Sequence, residues 1–166
     1  MALLKAIHEG QLTVTGTTQL EVLGELRFSI DGLKAYRYIK NVTAALLQGE
    51  VVYQADLANF DLFNVHNDIS VDSPLVAGVA IVSIAQNSYG WIQVSGYMAT
   101  VRDDAGVSLK DPLIGHSTDG EADTMAAGEE HLVFAFTLGD STTFTDDNGS
   151  SLDCSPAYLH NCLFKP

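Results

Sequence analysis

At 166 residues and 46% apolar composition, the chain is long enough for one domain with a substantial hydrophobic core and too apolar to be disordered throughout. Twenty-one acidic residues against eight basic ones give a formal charge of −13, a field that repels phosphate backbones and argues against nucleic acid as a partner. No apolar run approaches the roughly 20 residues that a bilayer-spanning helix needs, and the opening "MALLKAIHEG" stops too soon for a secretory signal, so a soluble chain with no membrane partner is expected.

In chain order, strand-like runs fall at 11–15 ("QLTVT"), 20–30, 36–39 and 50–54, and then at 77–85, 89–101, 131–138 and 157–164. Most are rich in Val, Ile, Phe, Tyr and Thr and are separated by clusters of Gly, Asn, Asp and Ser. "NVTAALLQGE" (41–50) reads as one or two helical turns ended by Gly49, or as a strand carrying a bend, and 120–130 is a weak helical candidate between Gly120 and Gly128. Polar loops are expected over 102–123 and 139–156. Many short strands with turn signals at near-regular spacing predict a mainly β, single domain over 1–166, a β-barrel or β-sandwich with short helical turns and long polar loops.

The centre of the chain is the clearest local pattern. "VAGVAIVSIA" and "YGWIQVSGYMATV" read as two strands joined through "QNS", where Asn87 suits a left-handed turn conformation. Period-two alternation puts Trp91, Gln93 and Ser95 on one face and Ile92, Val94 and Gly96 on the other. Trp91 therefore covers a second apolar layer or lies against a neighbouring subunit, and Gly96 permits a bulge or a close backbone approach.

Chemistry-bearing patterns are sparse. There is no Gly-x-Ser-x-Gly elbow, no P-loop and no dinucleotide fingerprint, and no two of the five histidines have the spacing of a helical metal pair. Cys154, His160 and Cys162 would supply three zinc ligands without a fourth, and alternating strand side chains explain them better. "TDDNGSS" (145–151) lacks the spacing of a calcium loop and reads as a solvated turn. Cys154 and Cys162 are expected as free thiols. No enzymatic activity, metal or cofactor is expected on this pattern.

Three phrases taken together, "GLKAYRYIKNVTAALLQGEVVY" (32–53), "PLVAGVAIVSIAQNSYGWIQVSGYMATV" (74–101) and "LKDPLIGHSTDGEADTMAAG" (109–128), resemble the head-decoration, or cement, proteins of tailed bacteriophages. The likeness is one of phrasing and order over roughly 32–141, and it departs at "LVFAF", where a Gly-Ala-containing strand is more typical. The resemblance implies a β-barrel or β-tulip-like domain without catalysis. It also implies a place on the outer capsid surface of the virion, with the major capsid protein and the chain's own copies, often a trimer, as partners.

On separate grounds the acid excess suits a shell exterior better than a DNA-filled interior. Residues 1–10 read as an N-terminal arm, with Leu3, Leu4 and Ile7 as apolar anchors for a neighbour. Arg27, Lys34, Arg37 and Lys40 cluster within fourteen positions, while 103–153 holds twelve acids and only Lys110 as a base. The basic cluster, together with Trp91, is the expected capsid or subunit contact. The alternative function is a carbohydrate- or receptor-binding β-module such as a tail-fibre tip, using Tyr89, Trp91 and Tyr97 on one strand face as stacking surfaces.

Overall fold

The structure, a computed structural model, describes residues 5–55, 63–68, 76–160 and 162. After a short helix α1 (Glu9–Leu12), the chain forms strands β1 (Leu26–Phe28), β2 (Ala35–Asn41), β3 (Val51–Gln54), β4 (Asn64–His66), β5 (Val76–Ala80) and β6 (Tyr89–Arg102). Then come β7 (Pro112–Gly115), β8 (Ala122–Thr124), a 3₁₀ turn (Glu130–Leu132), β9 (Ala135–Thr137), β10 (Thr142–Thr145) and β11 (Ser151–Leu159).

Five of these strands close on themselves. The order β2-β4-β3-β5-β6 returns from β6 to β2, so the ring has no free edge; β2 and β4 run parallel and the other pairs antiparallel. The expected mainly β barrel is the fold observed. Its interior is filled by Ile39, Leu46, Val51, Val65, Val79 and Ile92, each fully buried. Burying each such side chain contributes about 1.5–3 kcal/mol relative to leaving it in water.

A second sheet grows from the far half of β6. Residues 96–102 pair with β11, which pairs with β10 over its first half and β9 over its second; β9 continues to β7 and β7 to β8. The changeover falls at Gly96. Its φ of +90° is left-handed, and a Cβ there would overlap the Leu33 carbonyl oxygen. Next to it, the register against β2 skips a residue between Ala35↔Ser95 and Tyr36↔Gln93. Gln93, 2% exposed, fastens this bulge by donating its amide to the carbonyls of Ser95, Gly96 and Tyr97 at 3.2, 3.2 and 2.9 Å. Of the bulge or close backbone approach expected at Gly96, Gly96 shows the close approach, with a bulge at Val94 beside it, and the turn at Asn87 is present with φ +58°.

A polar clamp ties barrel to second sheet. Glu50, 2% exposed, receives Arg102 Nη1 at 2.6 Å, Asn67 Nδ2 at 2.9 Å and the Leu47 N–H at 2.9 Å, while Arg102 Nη2 reaches Glu121 at 2.9 Å. Gly120 lies directly on this carboxylate: its φ is +73°, and a Cβ would sit 2.7 Å from Glu50 Cδ. Burial raises the Glu50 pKa above the ordinary glutamate value, against the lowering effects of the Leu47 N–H, Arg102 and Asn67.

Several expected elements differ from those observed. Residues 11–15 are not a strand: the short helix brings Leu12 alone onto an apolar cluster, and Val14 stays 46% exposed. Of 20–30, only Leu26–Phe28 pairs. Residues 41–50 form no helix. They form a bent segment, with Asn41 Nδ2 donating to the carbonyls of Ala44 and Ile84 and Leu46 bridging Ile84. The loop expected over 102–123 contains β7 and the start of β8, and β8 also replaces the expected helix over 120–130. Leu113 and Ile114 find buried positions there, behind a proline at the strand's first residue. The expected loop over 139–156 holds β10 and most of β11, because Asp146 closes a tight hairpin by accepting the N–H groups of Asn148 and Ser150 at 3.0 and 2.6 Å.

Candidate interaction surface

The outer face of the barrel carries aromatics at alternate positions. Tyr38 sits opposite Trp91 across β2 and β6, with ring centroids 5.1 Å apart. Residues from the N-terminal segment cover them: Ile7 and Leu12 pack with Tyr36, Tyr38 and Trp91 in a small second core, held in place as Ala6 pairs with Phe28 and Gly16 with Tyr89. Trp91 is 3% exposed, so of the two sequence readings it takes the second apolar layer. Tyr89 is half-buried, and of the three rings expected as a stacking surface Tyr97 alone is exposed.

The four clustered bases each stand over a different ring. Arg27 lies 5.4 Å over Trp91 and pairs with Glu21 at 2.6 Å and Glu25 at 3.8 Å; Arg37 lies 5.6 Å over Phe63 and donates to the Gly24 carbonyl at 3.4 Å. Burial lowers the Arg37 pKa from its ordinary value. Lys34 and Lys40 stand over Tyr97 at 5.5 Å and Tyr89 at 5.8 Å. Arg27 and Ile7 thus serve the chain's own second core, and Lys34 stands at the edge of the second sheet. Leu3 and Leu4 lie outside the described residues.

On the second sheet, cross-strand register aligns Tyr97, Tyr158 and Phe136 in a row over β6, β11 and β9. They are 44%, 48% and 44% exposed, and Leu138, two positions beyond Phe136, is 49% exposed. His160 stacks on Phe136 with ring centroids 5.0 Å apart. Sequence reasoning did not single out Tyr158 or Phe136. Phe134 is buried and Phe136 exposed at a spacing of two because β9 begins only at Ala135, after the 3₁₀ turn, and nothing in "HLVFAFTL" signals that start.

Elsewhere the reactive side chains are occupied structurally. Asp104, His116 and Asp123 bring ligand-type atoms within 4.8 Å of one another. The Thr118 N–H donates to His116 Nδ1 at 3.2 Å, and His116 Nε2 lies 3.8 Å from Asp123. Asp147 accepts both the N–H and the hydroxyl of Ser83, docking the β10–β11 turn on the segment after β5. Cys154 and Cys162 are free and buried; burial pushes the Cys154 thiol up to about 12 and raises Cys162 as well. A half-open cleft of about 660 Å³ between α1 and the β1–β2 turn is lined by Ile7, Leu12, Ile30 and Tyr36 together with Glu9 and Asp31. Asp31 is held below the ordinary aspartate value by hydrogen bonds from the Ser29 hydroxyl and the Leu33 N–H, as the clasp of that turn.

No family model matches the chain, and no curated protein matches it. Among solved structures, it is similar to the N-terminal base of the head fibre protein gp8.5 of bacteriophage phi29, with 11% identity and a TM-score of 0.43, over 76% of this chain and 98% of that one.

Proposed function

We propose that the chain is a structural virion protein of a tailed bacteriophage, binding the outer surface of the assembled capsid and stabilising it, without a catalytic role. The observation that carries this reading is the partly exposed row Tyr97–Tyr158–Phe136 on a molecule of net charge −13. Exposed apolar faces of this kind mark contacts with other macromolecules. The phrase-level resemblance to capsid cement proteins supports the same reading, and the acid excess keeps the chain from packaged nucleic acid. Several copies on one lattice multiply modest individual contacts through avidity, so a single row of rings per copy suffices.

The experiment adds purified protein to undecorated mature shells and follows co-sedimentation and the temperature at which the shells come apart. Binding with an upward shift is expected; saturating protein that neither binds nor stabilises ends the proposal. The same row could equally meet sugar rings, so a glycan array with and without calcium is the counter-test: retention there, with no shell binding, moves the chain to the receptor-binding class.

A further inference from the structure

The barrel's own outer face shows how this chain covers a row of aromatics. Ile7 and Leu12 supply the apolar cover, Arg27 stacks on Trp91, and the carboxylates of Glu21 and Glu25 neutralise that arginine. The second sheet has the rings and the cation but neither of the other parts. Lys34 stands over Tyr97 and, among the described residues, is in no ion pair. Asp31, three positions away, directs its carboxylate to Ser29 and the Leu33 N–H, and Lys34 is only the weakest of the influences that lower its pKa.

Around the row, the outward positions Pro156, His160 and Leu138 add no carboxylate, although the chain carries twenty-one acids. We infer, resting on the capsid-binding reading above, that this face is the docking surface. Its occupant is an apolar ridge of the shell protein flanked by carboxylates, which seats on Tyr97, Tyr158 and Phe136 and pairs with Lys34.

Charge selects this occupant over the others. A second copy meeting the face across a two-fold axis would bring lysine without any acid to meet it, between two bodies of −13 each. A nucleic-acid strand would gain stacking but would meet the same negative field. A carboxylate-edged protein surface gives Lys34 the counter-ion that Arg27 already has, and desolvated rings at the centre of such a contact carry most of its affinity.

The test measures shell binding by co-sedimentation at two salt concentrations for wild type, Tyr158→Asp, Lys34→Gln and a control, Thr143→Asp, on exposed β10. Tyr158→Asp should weaken binding by at least about 30-fold, as loss of a central anchor does. Lys34→Gln should weaken it several-fold and flatten its salt dependence, and Thr143→Asp should bind as wild type. Tyr158→Ser repeats the measurement if the aspartate variant misfolds by circular dichroism.

Wild type and Tyr158→Asp binding equally well would overturn the assignment of this face while leaving capsid binding in place. Wild type failing to bind would remove both. Sedimentation equilibrium showing wild type self-associating and Tyr158→Asp monomeric would give the face to a second copy, and saccharide binding abolished by Tyr158→Asp would give it to a glycan; either result overturns the proposed partner.

Discussion

Tyr38 with Trp91, and Tyr97 with Tyr158, are both aromatic pairs set directly across from each other on neighbouring strands. Trp91 is nevertheless 3% exposed and Tyr158 48%. Strand pairing and alternation are alike in the two places. The difference comes from residues 5–16, more than seventy positions upstream of Trp91, which lie along the first pair and reach no part of the second. Whether an outward aromatic is framework or contact surface is therefore decided by what the rest of the chain lays over it, not by its own strand.

Substitutions in the two rows should diverge sharply. Trp91→Ala removes the centre of the second core and should cost about 3–5 kcal/mol in chemical denaturation, as large-to-small changes at buried aromatics do. Gly96→Ala attacks the junction that both regions share, where left-handed backbone and the Leu33 carbonyl leave no room for a Cβ; a loss of about 3 kcal/mol is expected in the same assay.

The clamp between the regions should respond to pH. Glu50 has a raised pKa in the folded state, so the folded chain holds that proton more tightly than the unfolded chain does. Stability relative to Glu50→Gln should be greatest below the ordinary glutamate range and fall as pH rises through the raised folded value. Urea midpoints of both proteins across that range check the sign, and a wild-type midpoint that rises relative to that of Glu50→Gln with increasing pH would contradict it. Smallest of all, Tyr158→Ala should change stability by no more than about 0.5 kcal/mol, as surface substitutions do. A loss comparable to that of Trp91→Ala would mean that the second row is framework too, and the contrast would vanish.

Much of the barrel was legible in the sequence. The alternation around Trp91 and Ile92 gave the two faces correctly because a long strand with one face in a core repeats its signal many times. Asn87 and Gly96 were readable because few residue types tolerate their backbone conformations. Strands β7, β8 and β10 were not legible, since three or four residues among Asp, Gly and Ser carry too little pattern. Register was invisible as well. Tyr97, Phe136 and Tyr158 become neighbours only through pairings between segments about twenty (β9 with β11) and about sixty (β6 with β11) residues apart, and no local periodicity encodes such pairings. The basic cluster shows the limit of closeness in sequence. Arg27 to Lys40 lie close in the chain, yet each of the four cations stands over a different ring, which the sequence run does not reveal.

Strand β6 is fourteen residues long and belongs to both sheets, and this has a mechanical side. Its first half is held to β2 by six residue pairs, five of them consecutive, and its second half lies beside β11 under the exposed rings. A pull on those rings along the strand enters the barrel through one unbroken backbone, and the six pairs share it in shear instead of peeling apart one after another. Seen this way, β6 is a tie-rod: a load taken up at one face is delivered to the most tightly closed part of the molecule, with no flexible linker between the two.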